Sequence, residues 1–535
     1  MISSDILDTD WDVVVIGSGV GGGLIARRMT ELGLRVLIVE KGRDLGDTGS
    51  TQLAIPEPTP AARLADACWP ESLIGHLRRR RVELEGVIGA GVGGTSLRYA
   101  ATLERPEPHD LDHSEQRAHP TGGWPVSYAE FAPHFKRAEE YFCISGELDP
   151  LGEDATPLPY PARSRTPADQ NLFDRLKGNG LHPYQTHMAA RFLPDCANCF
   201  GTRCPRRCKM DGRSAGVLPA LASGRAELLA DCTVVAINAG EKVTSITCRI
   251  DKHEFEISAR VYVLASGGLG SPSLLLRSTS EVWPDGIGNR NDLVGRNLMF
   301  HLSEVLAVWP GHTSAETDAV ERSISFRDLY YNNGKRLGLV QSMGLRAGYG
   351  EILYSAQMRL ATSAFRRVPL LRHMLRIPAY AAAKFLGPAH LFVGILEDFP
   401  KPDNRLIADM SDPDRLEFHY VVDEDLAARR DMFRIKMAQA YAGFRHMFMA
   451  HSPQLNFAHP CGTVRFGVDP RSSVLDRDCR VHGVDNLFVV DSSFMPTANG
   501  VNPSLTIAAN ALRVAERIDE VLRNNQVAAY PVPCG

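Results

Sequence analysis

Apolar residues fall along the chain in short dense runs separated by glycine-rich and polar stretches. In "WDVVVIGSGVGGGLIARRMTELGLRVLIVEKG" the segment Val13–Ile16 is a continuous β-branched run, as in a parallel strand buried on both faces, and Leu34–Val39 repeats the character. The stretch predicts strand, turn, helix, strand. From Ala259, "ARVYVLASGGLGSPSLLLRS" predicts a buried strand, then small residues and Pro272, then the start of an apolar helix. Near the end, "VDNLFVVDSSFMPTANGVNPSLTIAANALRVAERI" predicts a strand over Leu487–Val490 with Asp491 at its tip, and a long helix from about Ser504. "FRRVPLLRHMLRIPAYAAAKFLG", from Phe365 to Gly387, is apolar with interspersed Arg, His and Lys and is broken by two prolines. It predicts a lid, a partner-facing patch or an amphipathic helix, with docking on a membrane surface as the alternative. No run reaches the roughly eighteen unbroken apolar residues of a membrane span.

A length of 535 residues calls for two cores or one elaborated pair. A net charge of −4 with 23% charged residues gives no basic surplus for nucleic acid. The one basic run, "LRRRRVELE" at Leu77–Glu85, is followed by acids and reads as a solvated face or a phosphate contact. The acidic N-terminus lacks the basic start of a secretory signal, which predicts a cytoplasmic protein. Eleven cysteines, an odd number in a long chain, speak against a disulfide framework. Four of them, Cys196, Cys199, Cys204 and Cys208, are spaced C-x2-C-x4-C-x3-C, open to free thiols, a disulfide, or a zinc or iron–sulfur site.

Candidate chemistry begins in the first turn. Gly17-x-Gly19-x-x-Gly22 lies between the two predicted strands, and Glu40 ends the second strand 18 residues beyond Gly22. The first glycine permits the turn, the second lets a pyrophosphate approach the backbone, and the third lets helix and strand pack closely; the acid accepts from a ribose diol. The motif does not choose between NAD and FAD, but its place at the head of a long chain favours FAD. A second glycine loop, "EGVIGAGVGGTSLRYAATLERP", has Gly86, Gly89, Gly91, Gly93 and Gly94 within nine residues, interleaved with Val87, Ile88 and Val92. Such a loop brings backbone N–H groups onto an anion or lies flat against a planar ring.

The glycine motif, "GVGGTS", "LASGGLGSPSLLLRS", "GIGNRNDLVGRNLMFH", "EDFPKPDN", "HPCGTVRFG" and "RVHGVDNLFVVDSSFMPTANGVNPSLTIAANA" follow one another from residue 12 to about 518. In this order they resemble the glucose–methanol–choline (GMC) oxidoreductase family. The resemblance implies an α/β fold: a discontinuous Rossmann-like FAD-binding domain (1–105, 200–305, 456–535) and an α+β substrate domain on a mostly antiparallel sheet (106–199, 306–455). It implies FAD, taken as noncovalent, held by Gly17, Gly19, Val20, Gly22, Glu40 and Lys41, by Gly89, Gly93, Gly94, Thr95 and Ser96, and by Asp491, Asn502, Pro503 and Ser504. Arg98 and Tyr99 stand where relatives often carry an Asn near the flavin.

Oxidising an alcohol by hydride transfer leaves a proton to remove from oxygen, which a neighbouring imidazole accepts. In the resemblance that base is His459 of "AHPCGTVRFG", and Asn502 of the "NP" turn hydrogen-bonds the reacting oxygen. His301 and His482 are assigned structural or supporting roles. Glu397 and Asp398 are candidate substrate contacts that suit a cationic amino sugar, and no resident metal is expected. The resemblance extends to the dehydrogenases of aminoglycoside biosynthesis, which oxidise a primary sugar alcohol to an aldehyde. Alternatives are a sterol or long-chain alcohol oxidase, a lyase with structural FAD, and a nicotinamide-dependent dehydrogenase. The substrate is a small-molecule alcohol; the electron acceptor, oxygen or another, stays open.

Overall fold

A computed structural model describes residues 4–48, 59–78, 80–194, 196, 198–310, 321–361, 368–386 and 389–529. Its first sheet is parallel: β14 (Leu487–Val489), β6 (Ala259–Leu264), β1 (Trp11–Ile16), β2 (Val36–Val39) and β5 (Ala226–Leu229), in that spatial order. Val13 pairs with Val261 on one side and Val36 on the other, so the apolar run is buried between two neighbours and on both faces. The predicted strand at Leu34 begins at Val36, because Arg35 gives its carbonyl to the N–H groups of Asp12 and Val13 before the ladder starts.

Helix α1 (Val20–Glu31) crosses from β1 to β2. Its third motif glycine fixes the packing: a methyl on Gly22 would lie 1.9 Å from the Gly17 carbonyl oxygen. Helix α5 (Ser504–Ala529) packs against α1. Strand β6 feeds the helix Gly267–Arg277, which starts earlier than the sequence predicts and carries Pro272 in its interior. Proline supplies no N–H to the carbonyl four residues back. That carbonyl, on Gly268, accepts instead from Thr463 Oγ1 at 2.6 Å.

The second large sheet is antiparallel, ordered β8 (Ser325–Phe326), β9 (Val340–Arg346), β10 (His390–Leu396), β7 (Leu302–Trp309), β13 (Arg445–Phe448). Gln341 pairs with Val393, and Val393 with Val305, so these alternate residues form one row across the sheet. A third sheet joins β11 (Arg405–Ala408) and β12 (Leu416–Tyr420) to the hairpin β3 (Leu73–Leu77) and β4 (Arg80–Leu84), with Phe418 opposite Gly75. The basic run thus lies largely in a strand pair. Helices α2 (Tyr349–Ala361), α3 (Pro369–Met374) and α4 (Arg376–Leu386) stand between β9 and β10. Within the predicted amphipathic stretch, Phe365–Arg367 and Gly387 lie outside the described residues.

Candidate active site

One cavity of about 1600 Å³ runs from the glycine loops to the antiparallel sheet, larger than a drug-sized pocket and long enough for a dinucleotide with a substrate beyond it. Gly17, Gly19, Val20, Glu40, Lys41, Gly89, Gly94, Thr95, Ser96, His459, Asp491, Asn502, Pro503 and Ser504 all line it. Gly22 and Gly93 do not; Gly22 sits behind the turn, and Gly93, at φ +111°, shapes the loop whose next residues face the cavity.

The dinucleotide end is prepared for an anion. Gly19 caps α1 with no side-chain hydrogen bond, and a methyl there would meet nothing within 4 Å, so the first N–H groups of the helix stand open. Glu40 is buried and ties the loop together: one carboxylate oxygen accepts from Ser18 N at 2.9 Å and Ser18 Oγ at 2.6 Å, the other from Gly42 N at 3.1 Å. Burial raises its pKa against these bonds. Lys41 pairs with Asp414 and lies 3.9 Å over the Trp69 ring. The carboxylate of Asp491 caps its own turn, accepting from Ser493 N at 2.9 Å, and reaches Gly267 N at 3.0 Å and the Ser271 hydroxyl.

At the other end the "HPCGT" turn sits on the start of the helix after β6. A methyl on Gly268 would come 2.2 Å from the Pro460 carbonyl oxygen, which also accepts from Ser492 Oγ at 2.6 Å. This seat places the His459 imidazole in the cavity wall. Its Nδ1 lies 3.1 Å from His301 Nδ1, and His301 Nε2 lies 2.9 Å from the Asn499 carbonyl oxygen. A carbonyl only accepts, so the proton of His301 is on Nε2 and its Nδ1 is an acceptor. His459 Nδ1–H therefore donates, and Nε2 is left as the proton-accepting nitrogen. The Asn456 carboxamide nitrogen, 3.2 Å from the same Nδ1, is the competing partner. Were it the donor, two imidazole lone pairs would face each other at 3.1 Å, with His301 kept neutral by burial that lowers its pKa to about 4. Burial, and then His301, hold the His459 pKa well below the ordinary 6.5.

Across this wall the buried carboxamide oxygen of Asn502 has no hydrogen-bond partner among the described residues. Pro503 and the first turn of α5 follow it. A carboxamide and a neutral imidazole thus line one cavity, and the helix N-terminus that follows the carboxamide favours negative charge. An uncapped helix N-terminus, an acid-anchored glycine loop and the unpartnered Asn502 carboxamide oxygen together fit a flavin dinucleotide.

The GMC oxidoreductase models match residues 72–303 and 400–511, and an NAD(P)-binding Rossmann-like model matches residues 15–59. Paromamine 6'-oxidase of Streptomyces fradiae is 30% identical, over 96% of this chain and 92% of its own. The chain belongs to the GMC oxidoreductase family. It uses FAD and oxidises alcohol CH–OH groups, as GMC oxidoreductases do. Other GMC relatives are 6'''-hydroxyparomomycin C oxidase of Streptomyces lividus (29%, covering 97% of this chain and 93% of its own) and the fructose dehydrogenase large subunit of Gluconobacter japonicus (27%, 95% and 97%). In fold it is similar to pyridoxine 4-oxidase from Mesorbium loti (TM-score 0.61, 20% identity, 95% of this chain and 99% of that one). It is also similar to a formate oxidase (TM-score 0.67, 15% identity, 96% and 99%).

Two expected substrate contacts lie elsewhere. Glu397 and Asp398 are buried outside the cavity lining. Strand β10 ends at Leu396 and the chain turns back, so that Asp398 accepts from Tyr420 OH at 2.6 Å and Phe300 N at 3.2 Å, while the Glu397 carbonyl accepts from Arg429 at 2.6 Å. Burial pushes the Glu397 carboxyl up to about 8 and Asp398 up to about 6. His482 bonds Ser473 Oγ at 3.2 Å.

The sheet supplies wall residues that no local pattern marks. Val305, Met343, Leu345, Leu391, Val393 and Ile395 make it apolar. Arg322 and Gln341 interrupt them, both buried. The Arg322 guanidinium donates to the Met343 carbonyl at 2.9 Å and Thr102 Oγ1 at 3.5 Å, and has no carboxylate partner among the described residues. Burial alone lowers its pKa, to about 10. The carboxylates that line the cavity, Glu40, Asp66, Glu85 and Asp491, are all engaged elsewhere: Asp66 with Arg98 at 2.5 Å and Glu85 with Arg63 at 3.6 Å.

Among the described cysteines, Cys204 and Cys208 approach to 3.3 Å between sulfurs, beyond bonding distance. No group of three or more His, Cys, Asp or Glu among the described residues is arranged to hold a metal ion.

Proposed function

We propose that His459 is the base of the alcohol oxidation, that Asn502 orients the reacting oxygen, and that the FAD is held noncovalently. The observation that carries this is the hydrogen-bond chain Asn499 carbonyl–His301–His459, which leaves a proton-accepting nitrogen on the cavity that the Asn502 carboxamide also lines. FAD, when bound, supplies the acceptor for the hydride. His459 Nε2 takes the hydroxyl proton as the carbon–hydrogen bond breaks, so no protonated carbonyl has to form. The Asn502 amide donates to the same oxygen and fixes which hydrogen faces the acceptor. The positive end of α5 favours negative charge in the cavity in front of Pro503 and Ser504.

For substrate we propose the primary hydroxyl of an amino sugar, supported by relatives named for oxidising paromamine and 6'''-hydroxyparomomycin C. A second reading, a sterol or long-chain alcohol, is favoured by the apolar sheet wall, whose only formal charge among the described residues is the cation Arg322. Anaerobic bleaching of the flavin by amino sugars, neutral sugars, sterols and long-chain alcohols separates them. Bleaching led by amino sugars is the expected result, and bleaching led by the lipophilic alcohols replaces the first reading by the second. An alcohol cleaved with no bleaching would convert the assignment to a lyase.

A further inference from the structure

Between Glu351 and Glu397 the chain has six Arg and Lys residues and no Asp or Glu, although its net charge is −4. Two short helices in this stretch turn large apolar side chains outward: Leu370 is 67% exposed, Met374 56%, Ile377 77%, Tyr380 57% and Phe385 87%. Elsewhere such residues are mostly scattered singly; here five stand within sixteen positions. Ile377 and Tyr380 are three apart, the spacing of one helix face, while Ala379 between them is buried toward the protein. Arg376 and Lys384, both exposed, flank the stripe, and Lys384 Nζ lies 5.9 Å over the Tyr380 ring. Among the described residues this is an amphipathic surface whose large apolar side chains face outward and whose own charges, Arg376 and Lys384, are of one sign.

We propose that α3 and α4 dock the protein on the surface of an anionic bilayer, apolar side chains among the upper acyl chains and basic side chains at the phosphates. The charge chooses the occupant: a second copy would set one cationic patch against another, whereas anionic headgroups complement it and the apolar stripe needs a medium that accepts Ile, Tyr and Phe. The surface rests on the membrane and does not cross it, since no helix among the described residues is long and apolar enough to span. Helix α2, against which α4 packs, contributes Ile352, Leu353 and Gln357 to the cavity lining. Docking therefore brings one wall of the active-site cavity next to the bilayer. The inference does not depend on which alcohol is oxidised.

The test is co-sedimentation of the flavin-loaded protein with vesicles of phosphatidylcholine alone or with about 30% phosphatidylglycerol, in about 0.05 M and about 0.5 M NaCl. Partitioning to the anionic vesicles should exceed that to neutral ones about tenfold or more at low salt and collapse at high salt. Ile377→Asp with Phe385→Asp should abolish it while flavin absorbance and the unfolding midpoint stay those of the parent. Should that pair misfold, Arg376→Gln with Lys384→Gln should cut anionic binding about tenfold and leave neutral binding unchanged. Failure of the parent protein to sediment with anionic vesicles at low salt overturns the proposal. So does concentration-dependent self-association, by sedimentation velocity, that the Asp pair removes.

Discussion

His459 accepts a proton only while its imidazole is uncharged, and both influences on it act in that direction. Burial opposes a charge that would lose its water, and the neighbouring His301 offers no counter-charge. With the pKa lowered, the working neutral form persists through the range where an exposed histidine would already be half protonated. The acid limb of kcat/KM should fall below pH ~6.5, activity being lost as pH drops through the depressed value. A limb at or above that pH would show the base to be another group. His459→Ala should slow anaerobic bleaching by about 10²- to 10⁴-fold with the flavin retained, and loss of the flavin instead would reassign the side chain to scaffolding. Arg322 makes a separate claim on the substrate. A unit charge about 10 Å away through an effective dielectric of about 20 is worth about 1.7 kcal/mol against an ammonium group. Arg322→Met should therefore raise kcat/KM for an amino sugar relative to its neutral analogue about tenfold, and an unchanged ratio would place the ammonium far from this wall.

At the scale of elements, the glycine turn does its work by being thin. The Gly17 carbonyl stands where a methyl on residue 22 would go, so Gly22→Ala has to push α1 away from β1. The N-terminus of α1 lines the cavity, so if the dinucleotide sits there this shift should appear as lost flavin as well as lost stability, of about 1–3 kcal/mol. Purified Gly22→Ala with a normal absorbance ratio at 450 and 280 nm would disprove that coupling. The parallel unit was legible because its signals are local: β-branched runs of strand length, glycines at fixed offsets, an acid at the strand end. Pro272 shows where local signals mislead, since a helix interior tolerates it only because Thr463, almost two hundred residues away, takes up the freed carbonyl. The antiparallel sheet was legible as a class and not in detail. Its strands pair across gaps such as β7 with β10; Gln341 joins the cavity wall by pairing with Val393, and Arg322, just before β8, by bonding the Met343 carbonyl of β9. Glu397 and Asp398 read as paired acids, but just past the end of β10 they are buried outside the cavity lining, where Asp398 accepts from Tyr420 and Phe300.

The whole molecule converges on the few residues before Asn502. Trp124 Nε1 donates to Thr497 Oγ1 at 3.0 Å, His301 to the Asn499 carbonyl at 2.9 Å, and Leu339 N to the Gly500 carbonyl at 2.9 Å. Gly500 N donates to Tyr330 OH at 3.1 Å, and that hydroxyl donates to Asp110 Oδ2 at 2.5 Å, with Arg336 3.3 Å from the other oxygen of the same carboxylate. Segments near residues 110, 124, 301, 330 and 339 are thus clamped onto one turn, and the turn leads into Asn502, which lines the cavity with His459. Tyr330→Phe removes one hydroxyl, leaves the buried Gly500 N–H without its partner and takes one of two donors from Asp110 Oδ2, which keeps the Glu107 N–H. The stability cost should be about 1–3 kcal/mol by denaturant unfolding. If the clamp serves to hold Asn502, kcat should fall about tenfold while KM changes little, because a misplaced amide weakens alignment more than binding. A variant that loses the stability and keeps kcat would show that the clamp holds the fold together without setting the geometry of the reaction.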